Sequence, residues 1–338
     1  MHLKILSKNL EMIVMVIYII NKIEKILIFM KDTIKQTFLN HEIFEIFKTQ
    51  KRILLFLIEE KIIEINEEIA NLMTKSRGNE RYLYHIYFFK ELKPFLSQTK
   101  IHNSRGKISQ NSEELRNLGH NESEICEIIR KDSLVDFISH VKNTNLSLDS
   151  KVKVAFYETN KFLIKNNASL IEYAAFYGSI EIFNYLLNSK VVIRPIIYLF
   201  AIHGRNLELI HLLEENKIQT KNKSYDDCIK ESIKCHHNEI ANYFIGHLET
   251  EKDQNNKVNN KYCFHFHNFL FLNDDVTNDK TDIFNFACEY EHIKLVEITL
   301  KSKVVNILNP IILIHLFFKW RNFYSNFSNG IQKHQLFE

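Results

Sequence analysis

The chain has 338 residues, 45% of them hydrophobic and 25% charged, which is ample material for a buried core and, by length, for two or three domains. Only seven residues are Gly and three are Pro, about 2% and about 1% of the chain against roughly 7% and 5% in average proteins. So few turn-formers exclude a many-hairpin β-sandwich and long Gly/Ser or Pro-rich linkers, and a net charge of +3 is too even to point to nucleic acid.

From the N-terminus, Met12–Ile20 (MIVMVIYII) is an unbroken apolar run followed at once by Asn21, Lys22, Glu24 and Lys25. It is too short to span a bilayer. A secretory signal would need a small-residue cleavage site, but the first Ala is Ala70. A transit peptide would need Arg and few acids, but the first Arg is Arg52, and Glu11 and Glu24 are present. The run is expected to form a buried or partner-facing helix. Membrane-surface docking through residues 10–30 is the alternative.

Residues 3 to about 95 read as helices. Ile23, Ile26, Leu27, Met30 and Ile34 keep helical spacing, as do Ile43, Ile46 and Phe47, then Leu54, Leu57 and Ile58. Residues 97–117 are polar and read as a loop, and Glu249–Lys261 reads as a flexible insertion within a broader interruption at 246–281.

The remaining segments share one register. Laid together, 169–187, 201–213, 227–245 and 282–300 repeat a small residue at Ala174, Ala201, Ser232 and Ala287. Seven residues later stand Glu181, Glu208, Glu239 and Lys294, each followed by Ile182, Leu209, Ile240 or Leu295. Ser169, Asp227 and Asp282 are helix-capping types at segment starts. Leu187–Val192 (LNSKVV) recurs in phase as Leu300–Val305 (LKSKVV), and each copy leads to a proline, Pro195 or Pro310, ahead of an apolar helix.

Residues 169–187 resemble the ankyrin repeat, T-P-L-H-x-A-A-x-x-G-H-x-E-V-V-x-x-L-L. Ser169 stands for the Thr, Glu172 replaces the His, Ala174 and Ala175 match the Ala pair and Gly178 the Gly. Glu181, Ile182 and Phe183 match E-V-V, and Leu186 and Leu187 close the repeat. More widely, the chain resembles the large ankyrin-type protein family of trichomonad protists, which carries an N-terminal helical domain of unknown function. The segments concerned are 32–38, 42–48, 51–63, 128–138, 144–148, 169–186, 211–218 and 223–243. Members of such families often begin further upstream than Met1 does here. The resemblance implies an interaction solenoid without assigned enzymatic activity. It would bind protein partners through the exposed ends of its first helices, here Phe176, Tyr177, His203, Lys234, Cys235, Glu289 and Tyr290; for Phe176 and Tyr177, packing against a neighbouring repeat is the favoured reading of the residues themselves.

The chain departs from the repeat in its spacing and its turns. Segments start near Ser123, Ser169, Ile196, Asp227 and Asp282, and Asp132, Arg205, His236 and Glu291 hold the place of Gly178. A non-Gly residue in a left-handed turn costs about 1–2 kcal/mol, so distorted turns are expected there. The β-hairpin fingers are expected to be short or missing.

The seven glycines are scattered, so no Walker, dinucleotide or kinase phosphate loop and no Gly-x-Ser-x-Gly elbow can be written. Cys263, His265 and His267 alternate and would face one way on a strand, as a zinc site requires. No fourth ligand is apparent, and a packed or loop segment is the expectation. Cys235, His236 and His237, with Cys228 seven residues earlier, could form a second cluster, but they sit at the end of a first helix and its turn and are expected to be turn residues; no His-Glu-x-x-His or local nucleophile pair occurs. Five unpaired-looking Cys suggest reduced thiols and the cytoplasm.

The expectation is thus an all-α fold: an N-terminal helical region (1–117) followed by a helical solenoid of degenerate ankyrin-type repeats (120–338). Its role would be non-catalytic protein binding, with no cofactor, metal, nucleic acid or small-molecule substrate.

Overall fold

The computed structural model describes residues 24–74, 84–96, 111–153, 155–220, 223–246, 260–271, 280–290 and 292. The expectations for Met12–Ile20, Glu291, Leu300–Val305 and Pro310 lie outside these residues. The chain divides into two compact units, Met1–Gln219 and Thr220–Glu338. The boundary expected near 117–120 falls inside the first.

The described residues are all-α. Lys151 and Ser169 form an isolated antiparallel bridge, and no strand is present among the described residues. The first unit opens with α1 (24–29), α2 (Lys31–Thr37), α3 (Asn40–Phe47), α4 (Lys51–Glu59), α5 (Glu67–Thr74), α6 (Tyr84–Tyr87) and α7 (Phe89–Leu92). The apolar periodicity buries Leu27, Ile43, Phe44, Leu54 and Leu57, with Met73, Tyr87, Phe88 and Leu92, in one core. That core reaches forward to Tyr157. Part of the expected 97–117 loop is helical: α8 (Ser112–Leu118) ends on left-handed Gly119.

Helix pairs follow: α9 (Glu124–Lys131) with α10 (Leu134–Thr144), then the single α11 (Lys161–Asn166), then α12 (Leu170–Tyr177) with α13 (Ile180–Asn188), then α14 (Ile197–His203) with α15 (Leu207–Glu215). Helix α12 packs against both α9 and α14, and α10 packs against α13. Every residue from Leu170 to Tyr177 is buried, so α12 is the centre of this stack. Gly204 allows the close approach of α14. A Cβ there would lie 2.5 Å from the Phe176 carbonyl oxygen.

The second unit holds α16 (Asp226–Lys234), α17 (Asn238–Gly246), α18 (260–265), a 3-10 turn (Phe269–Phe271) and α19 (Lys280–Glu289). Asp227 and Asp282 therefore lie within the first turns of their helices, whereas Ser169 sits at the N-cap, its N–H held by Glu172 Oε2 at 2.8 Å.

The turns are regular, which corrects the expectation of distortion. Asp132, Gly178, Arg205, His236 and His267 all take left-handed φ between 49° and 68°. After each, the next N–H returns to the carbonyl five residues back: Ser133 to Ile128, Ser179 to Ala174, Asn206 to Ala201, His237 to Ser232 and Asn268 to Cys263. His292 N–H closes on Ala287 in the same way. The left-handed residue's own N–H returns to the carbonyl three residues back, so each turn satisfies two last-turn carbonyls, which offsets the cost of a non-Gly left-handed residue. The turn at His267 lies within the interruption expected over 246–281, of which 247–259 and 272–279 fall outside the described residues. It comes 31 residues after His236, and Cys263 takes the place of the small residue, fully buried like Ala174, Ala201, Ser232 and Ala287.

A second bond recurs across successive turns. The residue whose N–H closes the turn donates its side chain to a carbonyl at the end of the preceding first helix. Ser179 Oγ bonds Ile129 O (2.6 Å), Asn268 Nδ2 bonds Ile233 O (2.9 Å) and His292 Nε2 meets Phe264 O (2.8 Å). In each case the acceptor stands three residues before the left-handed residue of its own turn. Hydroxyl, amide and imidazole make one equivalent contact, so neighbouring helix pairs are held in the same phase.

Candidate functional site

The residues expected to meet a partner divide by burial. Phe176 and Tyr177 are each only 5% exposed, so they are packed, as the reading against a neighbouring repeat expects, and do not lie on an open surface. Phe176 is covered by Phe162 of α11 and by His203, with ring centres at 6.3 and 5.8 Å, and Phe162 stacks on His203 at 3.8 Å. Tyr177 lies against Tyr173, and its hydroxyl is 3.3 Å from His120 Nδ1. His203 itself is half-buried.

In the second unit, Lys234 and Glu289 are exposed and Cys235 and Tyr290 are half-buried. Lys234 pairs with Glu231 at 2.6 Å and Glu289 with Lys261 at 3.0 Å. Burial pushes the Cys235 thiol up to about 12, so it is a protonated thiol rather than a nucleophile. The Tyr290 ring lies 4.9 Å from His265.

Cys263, His265 and His267 do not share a face. Residues 260–265 are helical, so Cys263 points into the core while His265 and His267 are exposed. Alternation on a strand and alternation on a helix put side chains i and i+2 in different places.

A cluster that sequence reading missed lies in the first unit. Lys51, on α4 and 1% exposed, donates to the carbonyls of Phe156 (3.1 Å) and Glu158 (3.3 Å). The buried Glu158 carboxylate accepts Asn121 N–H at 3.1 Å and Asn160 N–H at 2.7 Å. Glu122 accepts Phe156 N–H at 3.0 Å. Arg130 of α9 donates to Asn121 O (2.9 Å) and to Tyr173 OH (2.7 Å) of α12. One polar network thus ties α4, the 121–122 turn, the 156–160 segment, α9 and α12.

Its proton affinities follow from burial. Desolvation raises Glu158 to about 7 and lowers Lys51 to about 8, with their mutual attraction acting the other way. His120 falls to about 4 through burial, then through Arg130 and Arg52. Cys126 rises to about 11 through burial.

Perturbed groups of this kind can mark catalysis. The geometry here is structural. Both Glu158 oxygens are committed to backbone N–H groups and Lys51 to backbone carbonyls. The adjoining cavity, between Asn121, Glu158, Leu163 and Tyr173, is about 40 Å³. That is room for buried water, not for a substrate.

No family model, no curated protein and no solved structure matches the chain.

Proposed function

We propose that the chain is a non-catalytic protein-binding module, a scaffold or adaptor built as a helical solenoid of degenerate ankyrin-type repeats behind an N-terminal helical region of the trichomonad kind. What carries the reading is one turn repeated at Asp132, Gly178, Arg205, His236 and His267, each following a first helix and four of them closing on a fully buried small residue. Units that cover one another's apolar flank and repeat one contact are the physical content of a solenoid. The five cysteines are free, in keeping with a reducing, cytoplasmic setting.

The partner would be a protein met by exposed first-helix ends, with Lys234 and Glu289 the accessible charges. Affinity capture with the tagged full chain, identified by mass spectrometry, tests this. The same partner should be enriched by wild type and reduced by Lys234→Glu or Glu289→Lys. Enrichment of nothing above a tag-only control, or full retention by both variants, would sink the reading.

A second reading has one observation in its favour. Helix α1 turns Leu27 to the core yet leaves Ile26, Ile28 and Phe29 exposed, Phe29 at 91%, next to Lys25 and Lys31. Such a face suits the surface of an anionic bilayer. No helix of the described residues is long and apolar enough to cross one. Flotation with anionic liposomes separates the readings: binding lost in Phe29→Asp supports docking, and no flotation of wild type dismisses it.

A further inference from the structure

The bonds around the Lys151–Ser169 bridge fix which way Lys151 faces. Val152 N–H bonds Ala168 O (2.7 Å) and Leu170 N–H bonds Ser150 O (3.1 Å), so the two bonds flank the bridged pair and neither belongs to Lys151. In an antiparallel pair of this kind the backbone N–H and C=O of the bridged residue point away from the partner segment. Lys151 is exposed, and its N–H and C=O have no partner among the described residues. At Lys153, the next residue of the same orientation, the edge is closed, because Asn121 Nδ2 donates to Lys153 O (3.0 Å). An exposed backbone edge with an unused donor and acceptor is a template for a further strand.

The charge around this edge is one-sided. Segments 149–153, 165–170 and 190–194 are tied together by the bridge, by Asp149 Oδ1 accepting Val192 N–H (2.7 Å), and by Arg194 Nη2 donating to the Asn166 and Asn167 carbonyls. Asp149 is the one acid in these segments, and its carboxylate is already engaged. Lys151, Lys153 and Lys190 are all exposed, and none of them makes an ion pair among the described residues. Alternation puts Lys151 and Lys153 on the same face of the extended segment. A strand laid along this edge therefore meets lysines at alternate positions.

We propose that the edge at Ser150–Lys153 takes up an extended segment of a partner protein, with acidic residues at alternate positions, as an added β-strand. This rests on the protein-binding reading and names the partner's chemistry. Lys151 would make two backbone bonds to the partner strand, and carboxylates two residues apart on that strand would face Lys151 and Lys153. With so short an open edge, charge supplies much of the attraction, so binding would weaken as salt rises.

The probe is a short fluorescein-labelled peptide alternating glutamate and threonine, titrated with the full chain and read by fluorescence anisotropy. It should bind, and a counterpart alternating lysine and threonine should not. Lys151→Gln removes the charge alone. Lys151→Pro also removes the outward N–H while leaving the Val152 and Leu170 bonds in place, so at an unchanged melting temperature it should bind about fivefold more weakly than Lys151→Gln. N-methylation of one alternate set of peptide amides should abolish binding, and of the other set should leave it. Hydrogen exchange should show the Lys151 amide protected in the complex. Wild type that binds no acidic peptide, Lys151→Pro that binds as tightly as Lys151→Gln, or a peptide that tolerates methylation of either set would each overturn the proposal. So would a single-stranded polynucleotide bound as tightly as the peptide, which would mark an unspecific cationic surface. A captured partner protein retained in full by Lys151→Pro would overturn this site and leave the binding reading standing.

Discussion

The carboxylate of Asp132 caps a helix that starts nearly fifty residues later: Oδ1 accepts Ile182 N–H at 3.0 Å and Oδ2 accepts Glu181 N–H at 3.1 Å. Asp132 is itself left-handed and fully buried. It thus ends α9 and, through its side chain, satisfies the first turn of α13 in the next pair. The cap also places a negative charge at a helix N-terminus, where the dipole favours it.

Two substitutions separate these roles. Asp132→Gly keeps the left-handed turn and removes the cap, at a cost of about 1 kcal/mol. Asp132→Ala loses the cap and adds left-handed strain, so it should cost about 2–3 kcal/mol. Hydrogen exchange at Glu181 and Ile182 reads both. Equal protection in wild type and Asp132→Ala would show that the cap is not what holds α13.

The staple between turns predicts which side chains are interchangeable. Asn268→Ala removes the Nδ2 bonds to the Ile233 carbonyl and to Asn238 Oδ1 and should destabilise the second unit by about 1–3 kcal/mol. Asn268→His should recover most of that loss, because His292 makes the equivalent bond with an imidazole. Urea unfolding followed by circular dichroism reports both. A variant Asn268→His as unstable as Asn268→Ala would mean that the contacts are not equivalent.

The recurrence of small residues at a fixed phase is legible in the sequence: Ala174, Ala201, Ser232 and Ala287 are all fully buried, and each carbonyl accepts the N–H five residues on. Cys263 belongs to the same set and escaped notice. The polar stretch before it hides the helix start, and CFHFH reads as strand alternation until its backbone is known to turn. For Phe176 and Tyr177 the sequence leaves packing and partner contact both open, for a different reason. Their exposure depends on Phe162 and His120, distant in sequence, and local spacing carries no trace of either. The Lys51–Glu158 contact, 107 residues apart, is invisible for the same cause. Helix-forming periodicity is a short-range signal, and burial of charge is a long-range result.

That buried pair makes stability depend on pH in two windows. Glu158 has its folded value raised from 4.5 to about 7, so the folded state holds the proton more tightly. Its contribution is full below about pH 4.5 and is lost as pH rises through 7. Lys51 is lowered from 10.5 to about 8, so its contribution is full above about pH 10.5 and is lost as pH falls through 8. Each window carries on the order of 3 kcal/mol. Glu158→Gln should flatten the decline between pH 5 and 7, and Lys51→Met the rise between pH 8 and 10. Denaturation midpoints of wild type and Glu158→Gln that run parallel from pH 5 to 7 would refute the assignment.

The buried acid of α12 depends on one arginine. Glu172 is fully buried and accepts Ser169 N–H (2.8 Å), Arg194 Nε–H (2.7 Å) and a second bond from Arg194 Nη2. The planar guanidinium reaches both carboxylate oxygens and also donates to the Asn166 and Asn167 carbonyls at 3.3 and 3.4 Å. A lysine offers a single point of charge and cannot span them. Arg194→Met should therefore cost about 3–5 kcal/mol, since it strands a buried carboxylate, and Arg194→Lys should recover only part of this. Because the penalty comes from the stranded charge, the double variant Arg194→Met, Glu172→Gln should be more stable than Arg194→Met alone. A double variant no more stable than the single one, by thermal melting at neutral pH, would show that Arg194 acts through packing and not through its charge.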